Sequence, residues 1–141
     1  MLPNGMSLDY ANLRKVPDEM YGDQWTYDDK EEYKPKKLYG GALLENICQV
    51  LARIVVFDQM MEIEKKFGKY EDVGNGVVFT VHDEVVVVVD EDRAEECLAF
   101  ALDAMHQSSR WWPELPVAAE GDIATNCGDA KCVEQRATLS N

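Results

Sequence analysis

A chain of 141 residues with a formal net charge of −13 is long enough for one sizeable core but too acidic to be a free-standing nucleic-acid binder. Its 46% apolar content excludes general disorder, and charges interrupt the apolar stretches before the roughly 20 residues that a membrane span needs. Four scattered cysteines do not make a disulfide framework, and no secretory signal is visible, so we expect a reducing, cytoplasmic compartment and no membrane partner. Acidic chains are most often simply soluble. If this one contacts DNA, basic surface must come mainly from elsewhere.

Residues 1–38 are predicted to form a loose region of strands and turns. Extended stretches are expected around Ser7–Leu13 and Gln24–Tyr27, separated by turn-forming Pro, Asp and Gly. The stretch Asp28–Lys37 is densely charged and contains Pro35, which favours a solvated linker. The sequence therefore predicts a loose hairpin followed by a linker.

Residues 39–141 are predicted to form a core of helix, hairpin, helix and strand. The first helix is expected from about Ala42 to Lys66, after the break at Gly40-Gly41, because apolar residues recur there at spacings of three and four. Such a helix would be about 40 Å long at the usual rise per residue, enough to span one face of a small sheet. The glycines of Gly74-Asn75-Gly76 close this region and start the next strand.

A β-hairpin is predicted where two apolar runs, Val77–Phe79 and Val85–Val89, flank the polar triplet His82, Asp83 and Glu84. Strands this apolar are expected to be buried on both faces, where carboxylates at the strand ends would need a positive partner. Two adjacent carboxylates beside a histidine suit a hard divalent cation next to a phosphate. The alternative is a polar turn without function, since turns often carry Asp, although this tip has neither Gly nor Asn.

A second helix is predicted to begin at Asp90–Asp92, where acids favour a helix start, and to continue to about Gln107. His106 at its end is read as a helix-capping residue rather than a ligand. A short strand is expected at Leu115–Ala119. The elements together predict an α+β fold, with an antiparallel sheet built on the hairpin and two helices packed on one face.

Four segments, in chain order, resemble family A DNA polymerases of phages. The hairpin segment TVHDEVVVVV (Thr80–Val89) looks like motif C of that family, and YGGALLENICQVLAR (Tyr39–Arg53) resembles the helix that precedes motif C. The segment LPVAAEGD (Leu115–Asp122) is similar to the strand and acidic turn that follow the last palm helix. The segment LPNGMSLDYANLRK (Leu2–Lys15) is similar to the strand region after the fingers. The resemblance thus covers most of the chain and implies a C-terminal palm portion over residues 1–141.

This resemblance implies roles for five residues. Asp83 would be the motif C aspartate that, together with a motif A aspartate, holds two catalytic Mg²⁺ ions, and Glu84 would be the accessory carboxylate. His82 would hydrogen-bond near the primer terminus. Gln49 matches the glutamine that reaches the minor groove of the primer–template end. Arg53, on the same helical face as Gln49, would contact the DNA backbone or pair with an acid.

The chain also departs from the family pattern. The family commonly has an asparagine four residues before the glutamine, where this chain has Glu45; Asn46 is one residue out of step and could equally face solvent. No strand candidate carries a motif A aspartate. The lysines before Tyr39-Gly40 are not read as a fingers helix, because Pro35 would break it.

The resemblance therefore implies part of a DNA-directed DNA polymerase. Primer–template DNA and deoxynucleoside triphosphates would be its partners in the complete enzyme. A second polypeptide would carry motif A and the fingers, and the phage-encoded protein would act in the host cytoplasm. Two other hypotheses stay open at this point: an inactive polymerase remnant that acts as a protein-interaction domain, and a small metal-dependent phosphohydrolase.

Overall fold

The computed structural model describes residues 1–20, 22–29, 34–68, 74–127 and 129. The chain has an α+β fold with two antiparallel sheets and two α-helices, which confirms the predicted fold class. It divides into two compact units, Met1–Ile54 and Val55–Asn141.

The first unit contains a three-stranded antiparallel sheet in the order β1 (Arg14–Val16), β2 (Gln24–Asp28) and β3 (Pro35–Leu38). The strand predicted around Gln24–Tyr27 is confirmed. The prediction of an extended stretch at Ser7–Leu13 was wrong, because the strand that pairs with β2 forms after it, with Arg14 opposite Thr26.

The predicted solvated linker is also wrong over β3, which pairs with β2 along its whole length. Pro35 is the first residue of the strand, a position where its missing N–H is tolerated. The charges of this strand are partly paired: Lys36 Nζ lies 2.7 Å from Asp29 Oδ2, and Lys37 Nζ lies 2.7 Å from Asp18 Oδ2. A dense run of charge can therefore form a strand when its neighbours carry the opposite sign.

Asp28 at the end of β2 accepts hydrogen bonds from Arg14 Nη2 at 2.8 Å and Asn12 Nδ2 at 2.9 Å. These bonds lower the pKa of the Asp28 carboxyl below its usual value. The stability they supply is present above the unfolded-state pKa of about 4 and is lost as pH falls through the lowered folded-state pKa. We expect NMR titration to place Asp28 below its ordinary range, and Asp28→Asn to remove part of the acid-induced loss of stability. Titration of Asp28 at the ordinary aspartate pKa would contradict this.

Helix α1 runs from Gly40 to Phe67, two residues earlier than predicted at its start. By length and composition alone this helix could cross a membrane, and 11% of its most apolar window is buried. The expectation that no stretch is long enough was therefore too strict. One such helix is weak evidence for a membrane span, because core helices of soluble proteins meet the same test.

The second unit contains a two-stranded hairpin, β4 (Gly76–Val81) and β5 (Glu84–Val88), followed by a 3₁₀ turn (Glu91–Arg93) and helix α2 (Ala94–His106). The hairpin and the second helix are thus confirmed, but the helix begins at Ala94, because the acidic residues where its start was predicted lead into the 3₁₀ turn. The core of this unit lies between the helices and one face of the hairpin. Its buried side chains are Ile63, Phe67, Cys97 and Ala104, and the valines packed against them are Val77, Val85, Val87 and Val89. Burial raises the pKa of the Cys97 thiol, so this cysteine is a core residue.

The expectation that the hairpin is buried on both faces was wrong. The strand register shifts between Val77 and Phe79, which leaves Val78 without a partner on β5. Four apolar residues of the hairpin are between 45% and 48% exposed, namely Val78, Phe79, Val81 and Val88. We call these four residues the outer face of the hairpin. The helices cover only the opposite face of the hairpin. Packing against the helices therefore does not explain why the outer face is also apolar.

The start of β4 is fixed by a carboxylate and a glycine. Glu64 Oε2 accepts the Val77 N–H at 2.7 Å, and Gly76 just before it has φ +120°. A Cβ on Gly76 would lie 2.8 Å from Glu64 Oε2 and 3.0 Å from the Gly68 Cα. Only glycine combines this φ with this close approach.

We expect Gly76→Ala to lower the free energy of unfolding by about 2–3 kcal/mol, because it adds a steric conflict to backbone strain. Gly74→Ala is the matched control: its φ is +124°, but a Cβ there meets nothing within 4 Å. The control should cost only about 1 kcal/mol of strain. Urea denaturation of both variants measures the difference, and equal losses would show that the contact with Glu64 is unimportant.

The predicted strand at Leu115–Ala119 was wrong. This segment is held by side chains at the end of α2 and just after it instead of by a strand ladder: Ser108 Oγ donates to the Leu115 carbonyl at 2.8 Å, and the Ala119 N–H donates to His106 Nε2 at 3.3 Å. The other ring nitrogen of His106 lies 2.6 Å from the Leu102 carbonyl. His106 is therefore a helix-end residue, as expected.

Candidate metal site at the hairpin tip

The hairpin tip is a two-residue turn. Val81 pairs with Glu84, so His82 and Asp83 form the loop, and Glu84 is the first residue of β5. The backbone of His82 has φ 53°, and Asp83 has no positive φ. The hairpin therefore fixes the position of the Asp83 backbone closely.

His82 occupies a backbone region that most side chains avoid. Histidine tolerates a positive φ better than most residues, but glycine is the residue that adopts it most readily. Backbone strain of this kind is found preferentially at functional sites.

The side chains of His82, Asp83 and Glu84 are all exposed. The sequence argument that buried carboxylates require a positive partner is therefore wrong for this tip, because water solvates both groups. Their exposure instead leaves the carboxylate oxygens accessible to a ligand.

The donor set fits part of a Mg²⁺ site. Carboxylate oxygens are the ligands that Mg²⁺ prefers, usually one or two of them together with waters and substrate phosphates. Asp83 and Glu84 are adjacent and can supply such oxygens. Within the described residues, no group of three or more His, Cys, Asp or Glu side chains is placed to hold a metal. The tip can thus contribute ligands but does not form a complete coordination sphere from the described part of the chain.

Cys127 has an exposed thiol, and Cys132 lies outside the described residues. The spacing of these two cysteines is compatible with zinc, but no second pair of Cys or His follows in the sequence. The sequence thus predicts two small core or tail cysteines rather than a zinc site.

The residues predicted to contact DNA lie on α1 in the first unit. Gln49 is exposed, and its Nε2 donates to Glu45 Oε1 at 3.2 Å. Arg53 is exposed one turn later. Asn46 is only partly exposed, and its Nδ2 donates to the Tyr10 hydroxyl at 2.9 Å. Gln49 and Arg53 are accessible to a ligand, and their roles at DNA stay predictions.

Sequence reasoning missed two polar residues of α1 that hold the start of the hairpin and the end of α2. Glu64 holds the first amide of β4 after Gly76. Gln59 is 7% exposed and donates to the carbonyls of Met105 and Gln107, at 3.0 and 2.9 Å, at the end of α2. The only signal in the sequence was a polar residue in an apolar stretch, which is equally typical of a solvated helix face.

The fold and the tip define an α+β protein with an acidic β-hairpin turn. Comparison with known proteins gives a more particular result. The chain is 32% identical over 126 residues to the DNA polymerase of Bacillus phage SP02, in an alignment that covers 86% of this chain and 18% of that protein. The chain is therefore related to a phage DNA polymerase and spans about a fifth of its length.

No model of a protein family matches the chain. No solved structure matches it either.

Proposed function

We propose that this chain is the C-terminal palm portion of a family A DNA-directed DNA polymerase, with motif C at its hairpin tip. One observation carries the proposal: a relative that is a DNA polymerase aligns with 86% of the chain. The structure supports it, since the segment that resembles motif C forms a tight hairpin whose turn and first strand residue are acidic.

In this proposal Asp83 and Glu84 bind Mg²⁺ through their carboxylate oxygens. When bound, a pair of Mg²⁺ ions lowers the pKa of the attacking 3′-hydroxyl and stabilises the charge on the leaving pyrophosphate. His82 hydrogen-bonds near the primer terminus. The Gln49 amide donates to the minor-groove acceptors that every base pair presents, and Arg53 contacts the backbone.

The proposal also requires polypeptide beyond this chain. It needs a motif A aspartate, a fingers region for the deoxynucleoside triphosphate, and basic surface for the primer–template. The basic surface must lie mainly outside this chain, because the chain itself has a net charge of −13. We propose that a second polypeptide carries them, in the cytoplasm of a phage-infected host. The chain alone should then be catalytically silent.

A chimeric polymerase tests the proposal. In this chimera, the chain replaces its matching segment in the SP02 phage DNA polymerase. We expect Mg²⁺-dependent primer extension by the chimera and none by the isolated chain. A folded chimera that binds primer–template but does not extend it, under conditions where the unaltered phage enzyme does, would favour an inactive remnant.

The remnant hypothesis is retained because of the outer face of the hairpin. An exposed apolar surface is typical of a protein-interaction site and does not itself require catalysis. Activity of the chimera separates the two hypotheses.

A further inference from the structure

One face of the three-stranded sheet carries an exposed tryptophan beside a lysine. Lys15 pairs with Trp25, and Trp25 pairs with Leu38, so these three residues share a face of the sheet. The pair of Tyr27 and Lys36 lies two residues further along the same face. We call these five residues the tryptophan face. Trp25 is 46% exposed, so this face offers an aromatic surface to a ligand.

The charge beside Trp25 favours an anionic ligand. The Lys15 Nζ lies 5.5 Å from the centroid of the Trp25 ring. Lys15 is exposed, and within the described residues its ammonium contacts that ring rather than a carboxylate. A cation–π contact at an exposed site is weak, so the ammonium can exchange the ring for a phosphate. The other cations of this sheet already have acidic partners; they are Arg14, Lys36 and Lys37.

The acidity of the chain lies mostly outside the unit that contains Trp25. Residues 1–54 contain seven Lys or Arg and nine Asp or Glu, which gives a formal net charge of −2. The remaining residues, 55–141, carry −11 of the total of −13. The first unit therefore repels an anionic ligand far less than the charge of the whole chain implies.

Single-stranded DNA fits the tryptophan face better than a duplex or an apolar polypeptide. Proteins that bind single strands stack the bases on aromatic side chains and contact the phosphates with cations. In a duplex the faces of the bases are already covered by their neighbours, so they are not open to Trp25. An apolar polypeptide would bury the Lys15 charge without a partner, which is costly.

We propose that Trp25 and Lys15 form a binding site for single-stranded DNA, in which a base stacks on the indole ring and the Lys15 ammonium contacts a neighbouring phosphate. The choice of DNA as the ligand rests on the proposed polymerase function, because the unpaired part of a template is such a strand. The site is distinct from the contacts proposed for Gln49 and Arg53, which are made to the paired primer–template. Binding at Trp25 requires neither a metal ion nor catalysis.

Titration of the isolated chain with fluorescein-labelled oligothymidine at low salt tests the stacking contact. Trp25→Ala should weaken binding by about tenfold or more, as expected when a stacked base loses its aromatic partner. Trp112→Ala is the matched control, because Trp112 is also 46% exposed but lies in the second unit. It should bind like the unsubstituted chain. Trp25→Phe keeps an aromatic ring and should retain most of the affinity, and circular dichroism checks the fold of each variant.

The salt dependence of binding tests the phosphate contact. Lys15→Gln removes an exposed charge without removing a packed side chain, so this variant is informative even if Trp25→Ala does not fold. It should reduce the slope of the logarithm of the binding constant against the logarithm of salt concentration by about 0.7, the value for one phosphate of a single strand. Lys65→Gln removes an exposed lysine of the second unit and should leave the slope unchanged.

Four results would overturn the proposal. They are no binding by the unsubstituted chain, equal affinities of Trp25→Ala and Trp112→Ala, equal binding of an abasic strand with the same phosphates, and self-association of the chain that Trp25→Ala abolishes. The third result would show a purely electrostatic contact, and the fourth would assign the face to a polypeptide. Primer extension by the chimera is a separate result. Binding that depends on Trp25, together with an inactive chimera, would leave the site correct and the polymerase function wrong. An active chimera without such binding would refute the site alone.

Discussion

Asp83→Asn is expected to reduce primer extension by the chimera by about 10³-fold, because loss of a metal-binding carboxylate removes several kcal/mol of transition-state stabilisation. Asparagine keeps the shape of the side chain and removes its charge. Asp83 is exposed, so the substitution should leave the fold intact. Steady-state extension of a labelled primer measures the loss, and urea denaturation confirms the fold.

Two comparisons make this result specific. Glu84→Gln should cause a smaller loss than Asp83→Asn, since Glu84 is the accessory carboxylate in the proposal. Asp92→Asn removes another exposed acid of the same unit and should leave extension unchanged. If Asp83→Asn and Asp92→Asn extend primers equally well, the tip is an ordinary polar turn.

The second large effect is expected in the core of the second unit. Phe67→Ala should lower the free energy of unfolding by about 3–5 kcal/mol, the usual cost of deleting a buried phenylalanine. Phe67 is 0% exposed, its ring lies 5.7 Å from that of Phe100 in a T-shaped pair, and the Arg93 guanidinium carbon lies 4.9 Å from its centroid. The substitution removes all these contacts together. Since domains are stable by only about 5–15 kcal/mol, much of the unit could unfold.

Met61→Ala is the control for Phe67→Ala on the same helix. Met61 is 47% exposed, so truncation should cost less than about 1 kcal/mol. Urea denaturation followed by far-ultraviolet circular dichroism measures both variants. Similar losses for the two would show that the helix is not packed at Phe67 as the fold requires.

The sequence predicted the elements whose signal is local. The spacing of Leu44, Ile47 and Leu51 identified α1, and the apolar runs beside His82-Asp83-Glu84 identified the hairpin. These patterns repeat within one element and need no knowledge of its neighbours. The acidic residues 90–92 are a local signal of the same kind, although a 3₁₀ turn forms there and α2 itself begins at Ala94.

The failures are all non-local. Strand β3 could not be predicted from its lysines, because its stability depends on Asp18 and Asp29 lying opposite in the fold. The single covered face of the hairpin depends on where the helices pack and on the bulge at Val78. The segment 115–119 fits a strand pattern, but among the described residues it is bonded by the side chains of His106 and Ser108 rather than by a strand partner.

The candidate metal site shows the same contrast between local features, which the sequence predicts, and non-local ones, which it does not. The acidic tip was evident from the sequence, because a two-residue turn brings together residues that are adjacent in the chain. The exposure of Asp83 and Glu84 was not evident, since it depends on what covers the strands. The hydrogen bond of Asn46 was not evident either, because its partner, Tyr10, is 36 residues away in the sequence.

Equilibrium Mn²⁺ binding to the chimera, with primer–template present, tests most directly whether the hairpin tip is part of a catalytic metal centre. We expect Asp83→Asn to weaken Mn²⁺ binding by about tenfold or more, which corresponds to the loss of at least 1.4 kcal/mol from one carboxylate ligand. The isolated chain should bind Mn²⁺ weakly whether or not Asp83 is present. The same Mn²⁺ affinity in the chimera with and without Asp83→Asn would contradict the account.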